Sequence, residues 1–596
     1  MSEIRFSPGS GRAGQPQWRP WNRRSFREAR RKDRPVLLSI TASWSHRCLR
    51  MDETTYADCD IISCIDESFI PVRVDGDRRP DVCARYGARD WPTTAFLTPL
   101  GQLILSECTH LSPEEMKSLM QRVMQINREE AGDMLSGCAP SESFPDAARR
   151  HSFPPTDGEI LSGNIPSNLR GRLRSTAGTI ARSIAESHDP DFGGFASPPG
   201  YAPKHPRIAA LDFLCTAAEK GDLDRQMLHV LRQTLDAMLE GEIFDSSRGG
   251  FFRLAAGRDW SNPNWEKLTS QNADLIETYL RAGRNLGVSR WTEAASRTLE
   301  YLNRHLTRAG GGFFPGLTSR PEFTGEEGEK PLGDDTLYTD VNARAASAHF
   351  LADRLLGNPS HLRTAVETLQ AVEGLCSGGD VLYHYCDAGG ERGPAFLRDY
   401  TELALANLDA HAGTGDLHYL DRALSLAETL RQYFALPDGS FSDRARGATS
   451  EVPAMQRAHV CPRDNARAAL LCHKVSLVRN DPSWEQQGVA ALVATASRAE
   501  AEGLEGATWA ASHLEISRPA PHVRVLVHCR HEDAALIRSA REAPERHAVI
   551  EIDEGGVEQP LVYVCRQSQC FPPTRDPERV EALLDPAGVE IPESRH

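Results

Sequence analysis

A turn of two glycines followed by phenylalanine recurs at regular spacing in the middle of this 596-residue chain. It occurs at 193–195, 249–251 and 311–313, and looser versions follow at 378–379 and 438–441, so that successive copies stand about 56 to 67 residues apart. That spacing accommodates one pair of antiparallel helices and a loop. Glycine permits the positive φ of a tight turn, and the aromatic residue after it can then point inward. The repeat therefore predicts about six helical hairpins that close into a ring, with these turns on one face.

The stretches between the turns carry the apolar periodicity of α-helices. Between residues 420 and 434, leucine, alanine and phenylalanine side chains fall on one helix face, and similar stripes recur from residue 169 to about residue 501. We therefore assign residues 167–505 to an all-α (α/α)6 toroid. The preceding segment, 139–166, is rich in proline, serine and glycine, and this composition predicts a linker over residues 131–166.

Before the linker, the pattern alternates between strand and helix. Apolar segments at 36–40 and 71–75 predict two buried strands with a helix between them, and a hairpin follows at 94–105. This order is typical of a compact α/β domain, which we place at residues 1–130. After the toroid, three further apolar segments predict a small C-terminal α/β element over residues 506–596.

Composition and charge restrict the functions that this chain can have. The formal net charge is -15, from 83 acidic and 68 basic residues, which argues against general nucleic-acid binding. The sequence contains no run of about 18 apolar residues and no stretch typical of a signal peptide, so we expect no membrane span. Fourteen scattered cysteines favour a reducing compartment, and we predict a cytoplasmic protein. Cys565 and Cys570 lack further metal ligands nearby, and we expect neither a metal nor a cofactor.

Two short motifs in the first domain belong together. Residues 44–48 read Trp-Ser-His-Arg-Cys between the first strand and a helix, and residues 91–93 read Trp-Pro-Thr before the hairpin. They resemble the Trp-Cys-x-x-Cys signature of the thioredoxin fold and the cis-proline that faces it. Dithiol exchange needs a thiolate at the helix N-terminus, whereas a serine hydroxyl neither ionises near neutrality nor forms a disulfide. We therefore expect no dithiol oxidoreductase activity at the redox-motif position, which comprises Trp44, Ser45, Cys48 and Pro92.

The order of the domains resembles that of the family that includes spermatogenesis-associated protein 20. The members of this family join a thioredoxin-like domain to a six-hairpin toroid, which is similar to the toroids of N-acylglucosamine 2-epimerases and six-hairpin glycosidases. Where the family usually reads Cys-His-Trp-Cys-His, this chain reads Ser-His-Arg-Cys-Leu at 45–49. The family's toroid motif His-Phe-Glu-Lys-Met-Leu-Tyr-Asp-Asn is here Asn-Trp-Glu-Lys-Leu-Thr-Ser-Gln-Asn at 264–272. Asn264 and Gln271 thus replace a histidine and an aspartate, which identifies a divergent member.

Several polar residues near the starts of toroid helices are candidates for ligand binding. Helix capping and surface ion pairs explain such residues as well as a ligand does. A sugar pocket, however, uses carboxylates and amides for hydroxyl groups and aromatic faces for the ring. We expect Glu266 and Lys267 to begin a helix after Pro263. The candidates are Asn264, Trp265, Glu266, Lys267, Gln271, Asn272, Asp340, Asn342, Asp399 and Tyr400.

Three functions fit these observations. In the first, the toroid binds, and in an epimerase-like or glycosidase-like manner modifies, a carbohydrate-like small molecule. In the second, the chain is a non-catalytic adaptor that holds a protein partner at the thioredoxin-like face around Trp44 and Pro92. In the third, Cys48 acts as a single-cysteine redox sensor, for which an exposed thiol with a low pKa is expected. The motif also predicts that Ser45→Cys would restore a dithiol and create redox activity.

Overall fold

The computed structural model of the chain describes residues 15–88, 90–135, 167–197, 200–318, 334–378, 381–447, 452–517, 523–528, 549–553, 561–566 and 569–584. Within these residues the chain forms an α/β thioredoxin-like domain, an (α/α)6 toroid and a small C-terminal sheet. The described part contains no helix long and apolar enough to cross a membrane.

The N-terminal domain is a mixed five-stranded sheet with helices packed on it. Its strands are β1 (Arg19–Pro20), β2 (Val36–Thr41), β3 (Ile70–Asp75), β4 (Thr93–Leu97) and β5 (Leu103–Glu107). Its helices are α1 (Arg23–Lys32), α2 (His46–Glu53), α3 (Cys59–Ser68), α4 (Pro80–Tyr86) and α5 (Pro113–Leu135). The strands lie in the order β1-β3-β2-β4-β5, and β2 pairs in parallel with β3 and antiparallel with β4.

Strand β2 lies at the centre of this sheet, and all six of its residues are buried. A strand that helices cover on both sides reads as a continuous apolar run, which explains why it was visible in the sequence. Helix α2 begins directly after this strand, with Ser45 at its N-cap position. The peptide bond between Trp91 and Pro92 is cis, so this element of the thioredoxin resemblance is confirmed.

Twelve helices within the described residues form the toroid. The inner helices are α7 (Ile208–Glu219), α9 (Thr269–Leu286), α11 (Thr339–Leu356), α13 (Leu397–Thr414), α15 (Pro462–Arg479) and α17 (Ala507–Ser517). The outer helices are α6 (Ser167–Ser187), α8 (Arg225–Glu240), α10 (Ser289–Tyr301), α12 (Pro359–Cys376), α14 (Leu417–Phe434) and α16 (Pro482–Ala501). Each inner helix packs against the next, and α17 packs against α7, so the ring is closed. The ring thus extends to Ser517, beyond residue 505, because α17 completes it.

Each Gly-Gly-Phe turn connects an outer helix to the next inner helix. All the inner helices therefore start on the same side of the ring, which we call the loop face. The second glycine of each turn has a positive φ, for example 77° at Gly250, where a Cβ would lie 2.9 Å from the Tyr301 ring. Of the looser copies, Gly439 also has a positive φ, whereas Gly378 lies in a strand and Gly379 is outside the described residues.

An asparagine in the first turn of an inner helix holds each of three turns in place. The side-chain amide of Asn342 donates to the carbonyls of Phe313 and Tyr338, and its Oδ1 accepts from the Phe313 N–H at 2.6 Å. The same bonds to the aromatic residue are made by Asn272 with Phe251 and by Asn465 with Phe441. Because each amide satisfies both backbone groups of a buried phenylalanine, it stabilises the turn without leaving a polar group unpaired.

Short strands on the loop face complete the toroid. They are β6 (Glu266–Leu268), β7 (Gly316–Thr318), β8 (Leu337–Tyr338), β9 (Ser377–Gly378), β10 (Val381–Cys386) and β11 (Arg392–Pro394). The expectation that Glu266 and Lys267 begin a helix is wrong, because both lie in β6. Strand β6 pairs antiparallel with β7, about 50 residues later, and such a distant pairing leaves no local pattern.

Within the described residues after the toroid, the chain forms a four-stranded sheet and one helix. The strands are β12 (Val523–His528), β13 (Val549–Asp553), β14 (Leu561–Arg566) and β15 (Gln569–Cys570), in the order β13-β12-β14-β15, and helix α18 (Pro577–Leu584) follows. The three strands expected here are therefore present. The further helix expected near residues 532–541 lies outside the described residues.

Candidate functional site

The ring of inner helices encloses a cavity of about 400 Å³. Each of the six inner helices contributes at least one charged side chain to its wall. These are Asp212 from α7, Asp274, Glu277 and Arg281 from α9, Arg344 from α11, Glu402 from α13, Arg463 and Arg467 from α15 and Glu515 from α17. A cavity of this size accommodates a small molecule, and a charged wall favours a polar one.

Most of these charges are paired across neighbouring helices. Arg467 contacts both carboxylate oxygens of Glu402, at 2.6 and 2.9 Å, and Arg344 pairs with Asp274. Burial alone would raise the pKa of Glu402, but the guanidinium groups of Arg467 and Arg344 lower it to about 2. Burial, together with the positive charges of Arg463 and Arg467, lowers the pKa of Arg344 to about 9. The cavity is therefore crowded with cations on the side of α11 and α15.

Arg463 differs from the other arginines of the wall. Its side chain lines the cavity from the first turn of α15, is exposed, and makes no hydrogen bond or ion pair with any residue in the described ranges. An exposed guanidinium that no described carboxylate hydrogen-bonds has its N–H groups available to bind an anionic group of a ligand bidentately.

The sequence does contain a pattern that predicts the charged wall of the cavity, although the candidate residues above were not chosen from it. Three inner helices place two charged residues four positions apart near their N-termini, and this spacing directs both side chains to one helix face. The pairs are Asp340 and Arg344, Arg398 and Glu402, and Arg463 and Arg467.

The thioredoxin-like domain lies on the loop face. We call its described residues, 15–88 and 90–135, the lid. Arg78 of the lid pairs with Asp387 at 2.7 Å and with Glu391 at 3.1 Å on the toroid. Arg253 of the toroid, which lines the cavity, pairs with Asp90 of the lid at 2.7 Å. Apolar residues also cross the junction, because a core cluster of the lid includes the toroid residues Val452 and Met455. Paired charges and apolar packing together hold the lid next to the cavity.

Glu266 of the toroid occupies the N-terminus of lid helix α2. Its Oε1 accepts a hydrogen bond from the His46 N–H at 2.9 Å, and its Oε2 accepts from Arg253 and Asn264 at 2.6 Å each. A carboxylate at this position satisfies a free helix N–H and complements the positive end of the helix dipole. The toroid thus supplies an anion beside Ser45, where the resemblance places the attacking thiolate of a thioredoxin.

The redox-motif position lacks the first cysteine, and the toroid also covers it. Cys48 is 1% exposed, and burial raises the pKa of its thiol to about 12, the opposite of what a redox sensor requires. Trp44 is 4% exposed, donates to Asp77 at 2.6 Å, and lies under the guanidinium of Arg253. Pro92 is buried. The face that the sequence proposes for a protein partner is therefore in contact with the toroid.

Two of the predicted residues, Asp340 and Asp399, lie together on the loop face with His384 of strand β10. His384 Nδ1 is 2.8 Å from Asp399 Oδ1 and 4.0 Å from Asp340 Oδ1, and its Nε2 donates to the Asp77 carbonyl of the lid at 2.7 Å. Burial alone would lower the pKa of His384, but Asp399 and Asp340 raise it to about 9. Burial and the charge of Asp399 raise the pKa of Asp340. His384 carries no signal in the sequence, since a histidine between two tyrosines in a strand has no distinctive pattern.

Lys267 holds a turn in place and does not line the cavity. Its amine is buried and donates to Asp245 at 2.7 Å and to the Gly249 carbonyl at 2.8 Å. Burial lowers the pKa of Lys267 to about 8. Lys204 makes the same pair of bonds to Asp189 and to the glycine carbonyl of the preceding turn.

The remaining predicted residues are distributed over several environments. Gln271 lines the cavity. Asn272 and Asn342 are the buried amides that hold the turns, and Asn264 donates to Glu266. Trp265 is 41% exposed and packs edge-on against Phe252, whereas Tyr400 packs against Phe434 between α13 and α14.

Comparison with known solved structures finds toroids of several enzymes. The chain is similar to a sugar epimerase from a ruminal bacterium, with a TM-score of 0.46 and 14% identity, covering 55% of this chain and 86% of that one. It is also similar to a GH76 alpha-mannanase from Bacteroides thetaiotaomicron, with a TM-score of 0.44 and 11% identity, covering 60% of this chain and 96% of that one.

Comparison of sequences identifies relatives of the chain. Residues 12–135 match the family model described as Thioredox_DsbH, a protein of unknown function (DUF255). Spermatogenesis-associated protein 20 of Rattus norvegicus is 27% identical over 389 residues, which cover 61% of this chain and 46% of that protein. The human protein of the same name is 28% identical over 322 residues, which cover 50% of this chain and 38% of that protein. The chain therefore spans less than half of the length of these relatives. These matches confirm the resemblance that the motifs indicated, to the thioredoxin-domain family of spermatogenesis-associated protein 20.

Proposed function

We propose that the toroid cavity binds a small, carbohydrate-like molecule that carries hydroxyl groups and one anionic group. The observation that carries this proposal is the cavity of about 400 Å³ with charged side chains from all six inner helices on its wall. Hydroxyl groups hydrogen-bond to carboxylates and guanidinium groups alike, whereas an apolar ligand would leave these charges buried and unsolvated.

The charge distribution supports an anionic group on the ligand. The pKa of Arg344 is lowered partly by the positive charges of Arg463 and Arg467, so these three cations repel one another. A carboxylate or phosphate between them would relieve that repulsion and complete the hydrogen bonds of Arg463. Sugar acids and sugar phosphates combine such a group with the hydroxyls that the rest of the wall can bind.

The thioredoxin-like domain serves in this proposal as a lid of the cavity. Ser45 cannot act as a redox nucleophile, and Glu266 fills the helix terminus beside it. Arg253 contacts the lid and lines the cavity at the same time, so that it couples the lid to the ligand site.

Calorimetric titration of the full chain tests the proposal. The panel pairs each neutral sugar with anionic derivatives of it: glucose with glucuronate and glucose 6-phosphate, and mannose with mannose 6-phosphate. We expect at least one anionic member to bind and its neutral partner to bind at least about tenfold more weakly, the effect of one charged hydrogen bond. If no anionic sugar binds, or neutral sugars bind equally well, the proposed ligand class is wrong.

Arg463→Gln tests whether binding occurs in the cavity. This residue has no described partner, so its replacement leaves the fold intact, and we expect affinity for the anionic sugar to fall about tenfold or more. Arg479→Gln, at the other end of the same helix and paired with Glu428, is the matched control and should bind as the unmodified chain does. Equal affinities for both variants would place the ligand outside the cavity.

A further inference from the structure

Three side chains from different elements bring potential metal ligands together on the loop face. Asp340 lies in the first turn of α11, His384 in β10 and Asp399 in the first turn of α13. One ligating atom of each, namely Asp340 Oδ1, His384 Nδ1 and Asp399 Oδ1, lies within 4.8 Å of the other two. Since Asp399 and His384 are fully buried and Asp340 largely so, this arrangement differs from the exposed acidic groups that are common on protein surfaces.

The partners of His384 leave the required nitrogen facing the two carboxylates. The carbonyl oxygen of Asp77 can only accept a hydrogen bond, so His384 Nε2 carries the proton of that 2.7 Å contact. Metal-binding histidines characteristically donate their second ring N–H to a carbonyl or carboxylate, which fixes the tautomer and the ring orientation. Nδ1, the nitrogen that would bind the metal, is the one that lies 2.8 Å from Asp399.

The two carboxylates are held in complementary ways. Asp399 Oδ2 accepts from the Phe396 N–H at 2.8 Å, which directs its Oδ1 to His384. Asp340 Oδ1 is buried and has no hydrogen-bond donor among the described residues. A buried carboxylate oxygen without a donor is costly, and a cation at the centre of the cluster would satisfy it.

We propose that Asp340, His384 and Asp399 bind one divalent transition-metal ion. One imidazole nitrogen and two carboxylate oxygens form a mixed donor set that suits Mn²⁺, Fe²⁺ or Zn²⁺ better than Mg²⁺ or Ca²⁺, which prefer oxygen alone. Three protein ligands leave coordination positions open, as in catalytic metal sites. This site is independent of the identity of the cavity's ligand, and the sequence analysis had expected no metal.

Metal titration of the full chain tests this proposal. The chain is treated with EDTA, passed through a desalting column and titrated with Mn²⁺, with free Mn²⁺ followed by electron paramagnetic resonance. Zn²⁺ and Mg²⁺ are titrated in parallel by calorimetry. We expect one ion per chain and a rise in the thermal midpoint on saturation, because binding to the folded state stabilises it. Failure to bind either ion stoichiometrically, or equally tight binding of Mg²⁺, would overturn the proposal.

Asp340→Asn and Asp464→Asn form a matched pair of variants. Asp340 caps no backbone group among the described residues, so the amide, which has the same shape, should preserve the fold while it removes a charged ligand. We expect its metal affinity to fall at least about tenfold. Asp464 is likewise an aspartate in the first turn of an inner helix, but it pairs with Arg398 outside the cluster. Asp464→Asn should bind as the unmodified chain does; unchanged binding by Asp340→Asn, or an equal loss in both variants, would contradict the assignment.

Discussion

His349 is a buried histidine in the toroid wall whose two ring nitrogens have no hydrogen-bond partner among the described residues. Its ring stacks on Phe313, with the ring centroids 5.6 Å apart. Burial, with a contribution from nearby His361, lowers the pKa of His349 to about 3, whereas an unfolded histidine titrates near 6.5. The folded state therefore favours the neutral ring, and the resulting stability is lost as the pH falls from about 6.5 towards 3.

We predict that His349→Phe reduces this loss of stability in acid. Phenylalanine has a similar shape, can stack on Phe313 and cannot be protonated. The thermal midpoint of the unmodified chain should fall between pH 7 and pH 4 more steeply than that of the variant. His418→Gln, which replaces an exposed histidine, should follow the unmodified chain. Parallel pH profiles for His349→Phe and the unmodified chain would exclude this histidine as a cause of acid sensitivity.

Ser45→Cys is predicted to leave the chain without insulin-reducing activity. The motif alone predicts the opposite. However, Ser45 is 1% exposed, and the Glu266 carboxylate accepts a hydrogen bond from the neighbouring His46 N–H. A thiolate introduced there would be buried beside a negative charge, which raises its pKa and blocks access. The measurements are the insulin-reduction assay and maleimide labelling of the native chain, read by mass spectrometry. The exposed Cys59 should react rapidly and the introduced thiol slowly; rapid reaction at position 45 would mean that the lid does not stay docked.

Contacts between residues that are far apart in the chain could not be predicted from the sequence. The motifs at 44–48 and 91–93 together were sufficient to predict the thioredoxin-like domain, and the first of them showed that a serine replaces its nucleophile. It could not predict that Glu266 contacts His46, because the two residues are 220 positions apart and their contact depends on domain docking. His384 was missed for the same reason, since its neighbours Asp340 and Asp399 belong to other elements.

At the scale of elements, the repeated unit is a turn held by an asparagine from the following inner helix. The glycine-aromatic spacing predicted the hairpins because it is local and repeated. The sequence predicts the asparagine as a candidate ligand-binding residue, since a polar residue at a helix start has several explanations and only the structure distinguishes them. The other three inner helices lack this asparagine, since α7, α13 and α17 carry Leu211, Tyr400 and Ala510 at the position that Asn272, Asn342 and Asn465 occupy in theirs.

Asn342→Ala is predicted to destabilise the toroid by about 2 kcal/mol or more. The change removes two donors and one acceptor and leaves buried backbone groups of Phe313 and Tyr338 unpaired. The measurement is the urea midpoint of unfolding. Asn407→Ala is the control, because Asn407 is a buried amide of α13 that makes one hydrogen bond, to the Leu403 carbonyl. We expect Asn407→Ala to lose less than half as much free energy of unfolding as Asn342→Ala. Equal losses would show that the hydrogen bonds to the turn contribute no extra stability.

At the scale of the whole molecule, the lid and the toroid are joined by buried ion pairs. Arg253 bridges Asp90 of the lid and Glu266 of the toroid, and its side chain is 7% exposed. Removal of one partner from a buried ion pair costs about 3–5 kcal/mol, because the remaining charges are left uncompensated. The docking of the lid on the toroid was not readable from the sequence, which contains no periodic pattern for a contact between two separately folded parts.

We predict that Arg253→Gln releases the lid from the loop face. Hydrogen–deuterium exchange of residues 46–53 should accelerate, since the helix N-terminus loses the contact that Glu266 provides in concert with Arg253. Arg281→Gln is the control: it also leaves two carboxylates without their arginine, but both belong to the toroid. Exchange at 46–53 should then stay slow. Equal acceleration in both variants would indicate general destabilisation without a specific release of the lid.

The contact between Asp77 and His384 also has a consequence for biosynthesis. His384 follows Asp77 by 307 residues, so the ribosome must translate that stretch before the lid can meet its docking surface. At about 5–20 residues per second this takes roughly 15 to 60 s. Glu266, which fills the start of α2, follows His46 by 220 residues, so for roughly 11 to 44 s of that time the nascent N-terminal domain presents the vacant start of α2 and the side of Trp44 to the surrounding solution. A chaperone that recognises apolar surface would therefore meet this face of the nascent chain, although the finished molecule covers it.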